Sequence, residues 1–233
     1  MDGITQGIQY SLDRSVDDLN TSDSDDLWKA CSLLPEAGRL SLLQKLNSPM
    51  LLAMGEIRDP RVRLIASFST LSDHQLKLYW LQNSLSRAYF VAGVERASSR
   101  REALERLLQA EFPFGSTVIL EEPRIVNRMG VSGAGVAKTL EYQNRRVRCA
   151  VTAKMPGFMV LLDSYYPGWH AYLDGREVQI LRANYAFRAV EIPAGTHEVE
   201  FRYRPQSFSI GLALTCLALV LGVVSLFWKR IRT

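Results

Sequence analysis

Hydrophobic positions recur along the chain with two different periods. From Ser24 to Asn47 they follow a helix: Leu27, Trp28, Cys31 and Leu34, then, after an interruption at Pro35, Leu40, Leu43 and Leu46. Ser24 is placed to cap the first turn, with Asp25 and Asp26 behind it, and Asn47-Ser48-Pro49 ends the run. Met50–Ile57 is apolar without a clear period. Arg61–Phe68 sets Val62, Leu64, Ala66 and Phe68 against the residues between them, which predicts a half-buried strand, and Leu76–Leu81 and Ala88–Val94 also read as extended. Ser99-Arg100-Arg101-Glu102 is a capping box that opens a helix running to Ala110, with Ala103, Leu104, Leu107 and Leu108 as one stripe. Pro113 and Gly115 stop it, and Thr117–Leu120 predicts a strand leading into Glu121-Glu122-Pro123.

Beyond residue 123 the pattern changes. A glycine-rich loop, Arg128–Thr139, precedes a series of short alternating segments with turn residues about every ten positions. The predicted strands are Arg146–Lys154, Phe158–Asp163, Trp169–Leu173, Glu177–Leu181, Phe187–Ile192 and His197–Arg204. Met159–Gly175 reads as the central hairpin. A buried run breaks at Asp163, turns through the aromatic corner Tyr165-Tyr166-Pro167-Gly168-Trp169, and continues to Asp174-Gly175, a type I′ turn pair. Even spacing with period two predicts an antiparallel sandwich.

The pattern therefore predicts an α+β soluble domain with a C-terminal antiparallel β-sandwich, followed by one transmembrane helix. Its expected parts are an acidic, partly disordered leader (1–26), a mixed α/β region (27–123), a Gly-rich connector (124–139), the sandwich (140–205), the membrane helix (207–228) and a basic cytoplasmic tail (229–233). The leader assignment rests on seven Asp against one Arg in the first 26 residues.

The membrane helix is the clearest physical signal. Phe208–Trp228 is 21 residues without a charge, the length a helix needs to cross a hydrocarbon core about 30 Å thick. Arg202 and Arg204 precede it, Lys229, Arg230 and Arg232 follow, and Tyr203, Phe208 and Trp228 suit the two interfaces. The basic end favours a cytoplasmic C-terminus, hence an extracytoplasmic soluble domain. MDGITQGIQYSLDRS has neither the basic nor the apolar region of a signal peptide. Either upstream membrane segments deliver this domain, as in the terminal piece of a longer polytopic protein, or the chain is tail-anchored and faces the cytoplasm.

The net charge of +4 changes little in this picture. Setting aside Lys229, Arg230 and Arg232 leaves 25 basic against 24 acidic side chains, which gives no case for nucleic acid. Three cysteines, Cys31, Cys149 and Cys216, have no metal-ligand spacing, and a Cys31–Cys149 bridge is left open.

Candidate chemistry is sparse. Met129–Thr139 lacks the register of a phosphate loop or a dinucleotide fingerprint. His74, His170 and His197 do not combine with Cys or carboxylates into a metal set. An Asp163/Asp174 acid–base pair is the nearest thing to a glycosidase arrangement, but Asp174 is accounted for by its turn and Asp163 by bonds to the corner amides. No catalytic residue, metal or cofactor is expected. Tyr165, Tyr166, Trp169, Arg182, Asn184 and Tyr185 are the expected glycan-binding set, aromatic faces with polar neighbours, among which Arg188 and Tyr172 also stand.

MVLLDSYYPGWHAYLDGREV, then ILRANYAFRAVEIPAGTHEVEFRYRPQSF and a terminal apolar run, resemble the C-terminal region of YfhO-type bacterial membrane proteins. SLSRAYFV, the Ser99–Ala110 helix and STVILEEP resemble the same family in the same order, so the likeness runs from Pro60 to Trp228. His170 departs from it, standing where a basic residue is expected more often. The family looks like large polytopic proteins related to GT-C membrane glycosyltransferases, which use polyprenyl-phosphate-linked sugars and carry their acidic catalytic residues near N-terminal membrane helices. The resemblance implies a single-pass chain in a bacterial cytoplasmic membrane. It would support sugar transfer to a cell-envelope glycan or lipid beside a polytopic partner or a missing N-terminal half. Its implied partners are the lipid bilayer and a glycan or polyprenyl-linked sugar. The alternative is a stand-alone, membrane-anchored glycan-binding or protein-interaction module.

Overall fold

The computed structural model describes residues 22–69, 75–109, 111–122 and 124–205, with 211, 214–216, 218, 219 and 221 beyond them. Residues 1–21 of the expected leader, most of the expected membrane helix and the tail 229–233 lie outside the described residues. Helices α1 (Ser22–Leu33) and α2 (Glu36–Lys45) meet at Pro35, where the missing amide donor breaks the ladder. α1 starts at Ser22, so Ser24 lies inside it instead of capping it. Asp23, Asp25 and Asp26, expected in the leader, sit in its first turns. Strands β1 (Met50–Ala53), β2 (Val62–Ser69) and β3 (Gln75–Leu81) form an antiparallel sheet in the order β1-β3-β2. One face of it, Leu51, Ala53, Tyr79 and Leu81, packs on Leu40 and Leu43 of α2.

The next strands are β4 (Ala88–Val91), β5 (Gly93–Arg96) and β6 (Thr117–Leu120), with α3 (Arg100–Leu107) between the last two. The capping box forms as the sequence predicts: Glu102 N donates to Ser99 Oγ at 3.2 Å, and the Glu102 carboxylate accepts from Ser98 N at 2.7 Å. A helical crossover permits β5 and β6 to pair in parallel. The remaining strands are β7 (Gly135–Gln143), β8 (Arg146–Ala153), β9 (Gly157–Ser164), β10 (Trp169–Leu173), β11 (Arg176–Val178), β12 (Leu181–Ala183), β13 (Phe187–Ile192) and β14 (Gly195–Tyr203).

Two further sheets result. The five-stranded one has the order β11-β10-β14-β8-β7, and the six-stranded one β4-β9-β13-β12-β6-β5. β4 and β5 stand at opposite ends of the second order, yet only Ala92 separates them along the chain. The six-stranded sheet therefore curls until its ends meet in one strand bent at Ala92. Tyr89, Val91, Val94, Val118, Leu120, Phe158, Val160, Ala183 and Ala189 fill the interior. On the outside, Ala88, Phe90, Met159, Leu161, Val190 and Ile192 pack against Val147, Cys149, Val151, Ala171, Val199 and Phe201 of the five-stranded sheet. Ile119, elsewhere on that outer surface, packs with Leu27 and Cys31 of α1 and Ala103 and Leu107 of α3. Apolar side chains on both faces explain why β4, β6 and most of β9 and β13 are continuously buried.

The antiparallel sandwich expected over 140–205 is thus replaced by a mixed arrangement: β4, β5 and β6 complete the curled sheet from the upstream side of residue 124. The connector expected over 124–139 is already strand from Gly135. Met159–Gly175 is not one hairpin either, since β9 belongs to the curled sheet and β10 to the five-stranded one, and the aromatic corner carries the chain between them. The Asp174-Gly175 turn closes β10–β11 instead, with φ of 49° and 82° and Leu173 facing Arg176. Cys31 and Cys149 are free and buried in separate clusters.

Candidate functional site

The corner between β9 and β10 brings together the aromatic residues that the sequence singles out. Tyr166 is exposed and its ring centre lies 6.4 Å from that of Tyr203; Trp169 lies 5.3 Å from the same ring. Gly168, at φ 95°, allows this approach, since a Cβ there would sit 3.0 Å from the Tyr203 ring and 3.1 Å from Pro205 Cα. Arg204 N donates to Gly168 O at 2.7 Å and ties the corner to the end of β14.

Beneath the corner lies a buried cation. Arg188 on β13 is 2% exposed, and its guanidinium carbon stands 4.2 Å from the Trp169 ring and 5.3 Å from that of Phe201. Nη2 donates to Asp163 Oδ2 at 3.0 Å, while Nε and Nη1 have no acceptor among the described residues. Burial lowers the Arg188 pKa, and the Asp163 charge opposes that shift. Tyr142 donates to Asp163 at 3.3 Å, and Arg87 lies 4.3 Å over the Tyr142 ring and 3.7 Å from Asp163. Asp163 therefore answers Arg188, Tyr142 and Arg87, not the corner amides as expected. Asp174 stands at the other end of β10, bound to His197 at 2.7 Å and Glu198 N at 2.9 Å, so the two carboxylates do not share a cleft.

The rest of the expected glycan-binding set is divided. Tyr165 and Tyr185 carry arginines on their faces, Arg182 at 4.5 Å and Arg100 at 5.2 Å, and both arginines converge on buried Asp23 of α1. Tyr185 is buried, its hydroxyl donating to Asp26 at 3.1 Å, and burial raises its pKa. Asn184 is 0% exposed: Oδ1 accepts from Ile119 N at 2.8 Å and Nδ2 donates to the Tyr89 hydroxyl at 2.9 Å. Of the six, Tyr166 is exposed, Tyr165, Trp169 and Arg182 are half-buried, and Asn184 and Tyr185 are buried; Tyr166 and Trp169 stand at the corner alongside Tyr203, Tyr142, Arg87 and Asp163.

Sequence reasoning left out Tyr142, Tyr203 and Arg87 because strands distant in the chain bring them to this corner. Two adjoining clefts, of about 480 and 500 Å³, lie elsewhere, along α3, β5 and residues 125–130, and share Arg106 and Asn127. None of the six expected residues lines them. Among the described residues no group of His, Cys, Asp and Glu could hold a metal ion.

Part of this arrangement is similar to a known family. Residues 127–215 match the family described as bacterial membrane protein YfhO, and over them the resemblance carried by YYPGW, RANYAFRAV and PAGTHEVEFRY is borne out. The match begins in the loop before β7, takes in every strand from β7 to β14 and ends inside the apolar run. No curated protein and no solved structure matches the chain.

Proposed function

We propose that this chain is the extracytoplasmic C-terminal domain and membrane anchor of a YfhO-like glycosyltransferase system. It supports transfer of a sugar from a polyprenyl-phosphate donor to a cell-envelope glycan or lipid, and a polytopic partner or N-terminal half carries the transfer itself. The observation behind this reading is the extent of the family match, which runs without a break from the strands into residues 208–215. Two features support it. Phe208–Trp228 has the length and composition of a membrane span, and each of its described residues, among them Leu214, Cys216, Leu219 and Leu221, is helical and exposed, as a lipid-facing helix would be. Among the described residues no helix is long and apolar enough to cross a membrane. The corner of Tyr166, Trp169 and Tyr203, with Arg87, Tyr142 and Asp163 beside it, offers ring faces and polar groups to a sugar.

The test is labelling in intact bacteria with a membrane-impermeant maleimide. A cysteine at exposed Thr152 reacts if the domain faces outward, and protection until lysis would overturn the sidedness. Tyr166→Ala, which removes an exposed ring, lowers retention on cell-envelope glycans with no change in melting temperature. Unchanged retention would remove the glycan contact from the reading.

A further inference from the structure

The three-stranded sheet has a second face that no buried cluster includes. Pairing fixes its members. Met50 and Arg63 flank Trp80, Leu52 and Ala66 flank Leu78, and Phe68 pairs with Leu76, so all eight side chains point away from α2. Met50 is 53% exposed, Phe68 52% and Trp80 41%, and Ile65, in the bulge between Leu64 and Ala66, is exposed beside them. A soluble sheet packed on one side normally turns polar residues outward on the other. Here the outward face is apolar throughout except for one cation, Arg63, which has no ion pair among the described residues. No carboxylate shares the face among those residues.

We infer that this face docks on the surface of an anionic lipid bilayer. The inference rests on the proposed anchoring, which keeps the domain beside a membrane. Large apolar side chains, a tryptophan and an arginine without a counter-ion form the composition that an interface of acyl chains and negative headgroups accepts: rings and Met side chains enter, and the guanidinium meets phosphate. A second copy laid on the same face would bury Arg63 with no carboxylate to pair with, which disfavours self-association.

The test is electron paramagnetic resonance on the full chain, reconstituted into phosphatidylglycerol/phosphatidylethanolamine vesicles, with a nitroxide at one position at a time. Phe68→Cys and Trp80→Cys read the face, and Thr152→Cys, on the outward side of the five-stranded sheet, reads water, each in a Cys216→Ser background. Natural Cys216 in the unaltered chain reads the anchor, since Cys31 and Cys149 are buried and do not label. Docking predicts that positions 68 and 80 relax more with dissolved oxygen than with a water-soluble nickel chelate, and position 152 the reverse. Arg63→Ala should lower the ratio of docked to undocked face roughly fivefold, as should replacing the anionic lipid with phosphatidylcholine. Nickel access at 68 and 80 equal to that at 152 overturns the inference, and so does shielding from both reagents, which would mean a protein partner or a second copy. If Cys216 reports lipid while 68 and 80 report water, the docking fails and the anchoring stands. If Cys216 reports water, the anchoring itself fails.

Discussion

Arg188 reaches from β13 to Asp163 on β9 across a bulge in the curled sheet, and a single 3.0 Å hydrogen bond joins them beneath the Trp169 ring. Among the described residues nothing else neutralises this guanidinium at hydrogen-bond distance, and two of its three nitrogens have no acceptor there. The pair sets the geometry of the corner, because the cation is the platform on which Trp169 rests.

Removing only the carboxylate should therefore be severe. Asp163→Ala leaves a buried charge uncompensated and should cost about 3–5 kcal/mol. Arg188→Met, which keeps most of the volume and leaves Asp163 the Tyr142 hydroxyl at 3.3 Å and Arg87 at 3.7 Å, should cost less. Urea unfolding of both variants checks this, and equal losses would show that the pair is not the cause.

Asn184 supports the fold and is not free to meet a ligand. Asn184→Ala strands the Ile119 amide and the Tyr89 hydroxyl inside the curled sheet, an expected loss of about 1–3 kcal/mol for each group left unpaired. Faster hydrogen exchange at the Ile119 amide is the specific readout. Glycan retention per folded molecule should not change.

Acid stability should depend on Glu200. The bond from Arg202, and then that from Arg146, outweigh burial and hold its carboxyl at about 2, against 4.5 for an ordinary glutamate. Arg61 holds Asp59 at about 2 in the same way. A depressed carboxyl contributes stability that is full above its unfolded value and vanishes as the pH falls through its folded one. Melting temperature should accordingly fall between about pH 4.5 and pH 2, and Glu200→Gln should flatten that limb relative to the parent chain.

The thiols should react in two classes. Burial pushes Cys31 and Cys149 up to about 11, so neither is a thiolate near neutral pH, whereas Cys216 is exposed. In buffer with mild detergent a small uncharged disulfide reagent should titrate one thiol per folded chain and three after denaturation. In vesicles Cys216 should become unreactive to a charged, impermeant reagent. A folded chain with no reactive thiol in buffer would contradict the exposed position of Cys216.

The sequence pattern shows local features of this fold well and its closure poorly. β10 begins and ends where turn chemistry at Gly168 and Asp174 predicts, because those signals are written in neighbouring residues. β7 is hidden for two reasons: its first residue is one of the glycines that suggest a flexible connector, and the bulge between Thr139 and Glu141 breaks its alternation. The pairing of β4 with β9 and of β12 with β6 is between segments far apart in the chain, which no period records. At the corner, the sequence marks Tyr166 and Trp169 by their turn, but Asn184 and Tyr185 look like surface turn residues until the curled sheet buries them. Arg188 lies inside an apolar run, and the cation it hides becomes visible only once Trp169 is placed over it.

Among the described residues β14 is the last strand to be made, and it is the middle strand of its sheet. Until residues 195–203 leave the ribosome, β7–β8 and β10–β11 are two separate hairpins with open edges and no common layer. The strand that joins them is followed a few residues later by the apolar run. Biosynthesis thus delivers the closing piece of the sheet and the apolar run almost together, so a pause or truncation just before residue 195 would release both hairpins unpaired and prone to aggregate.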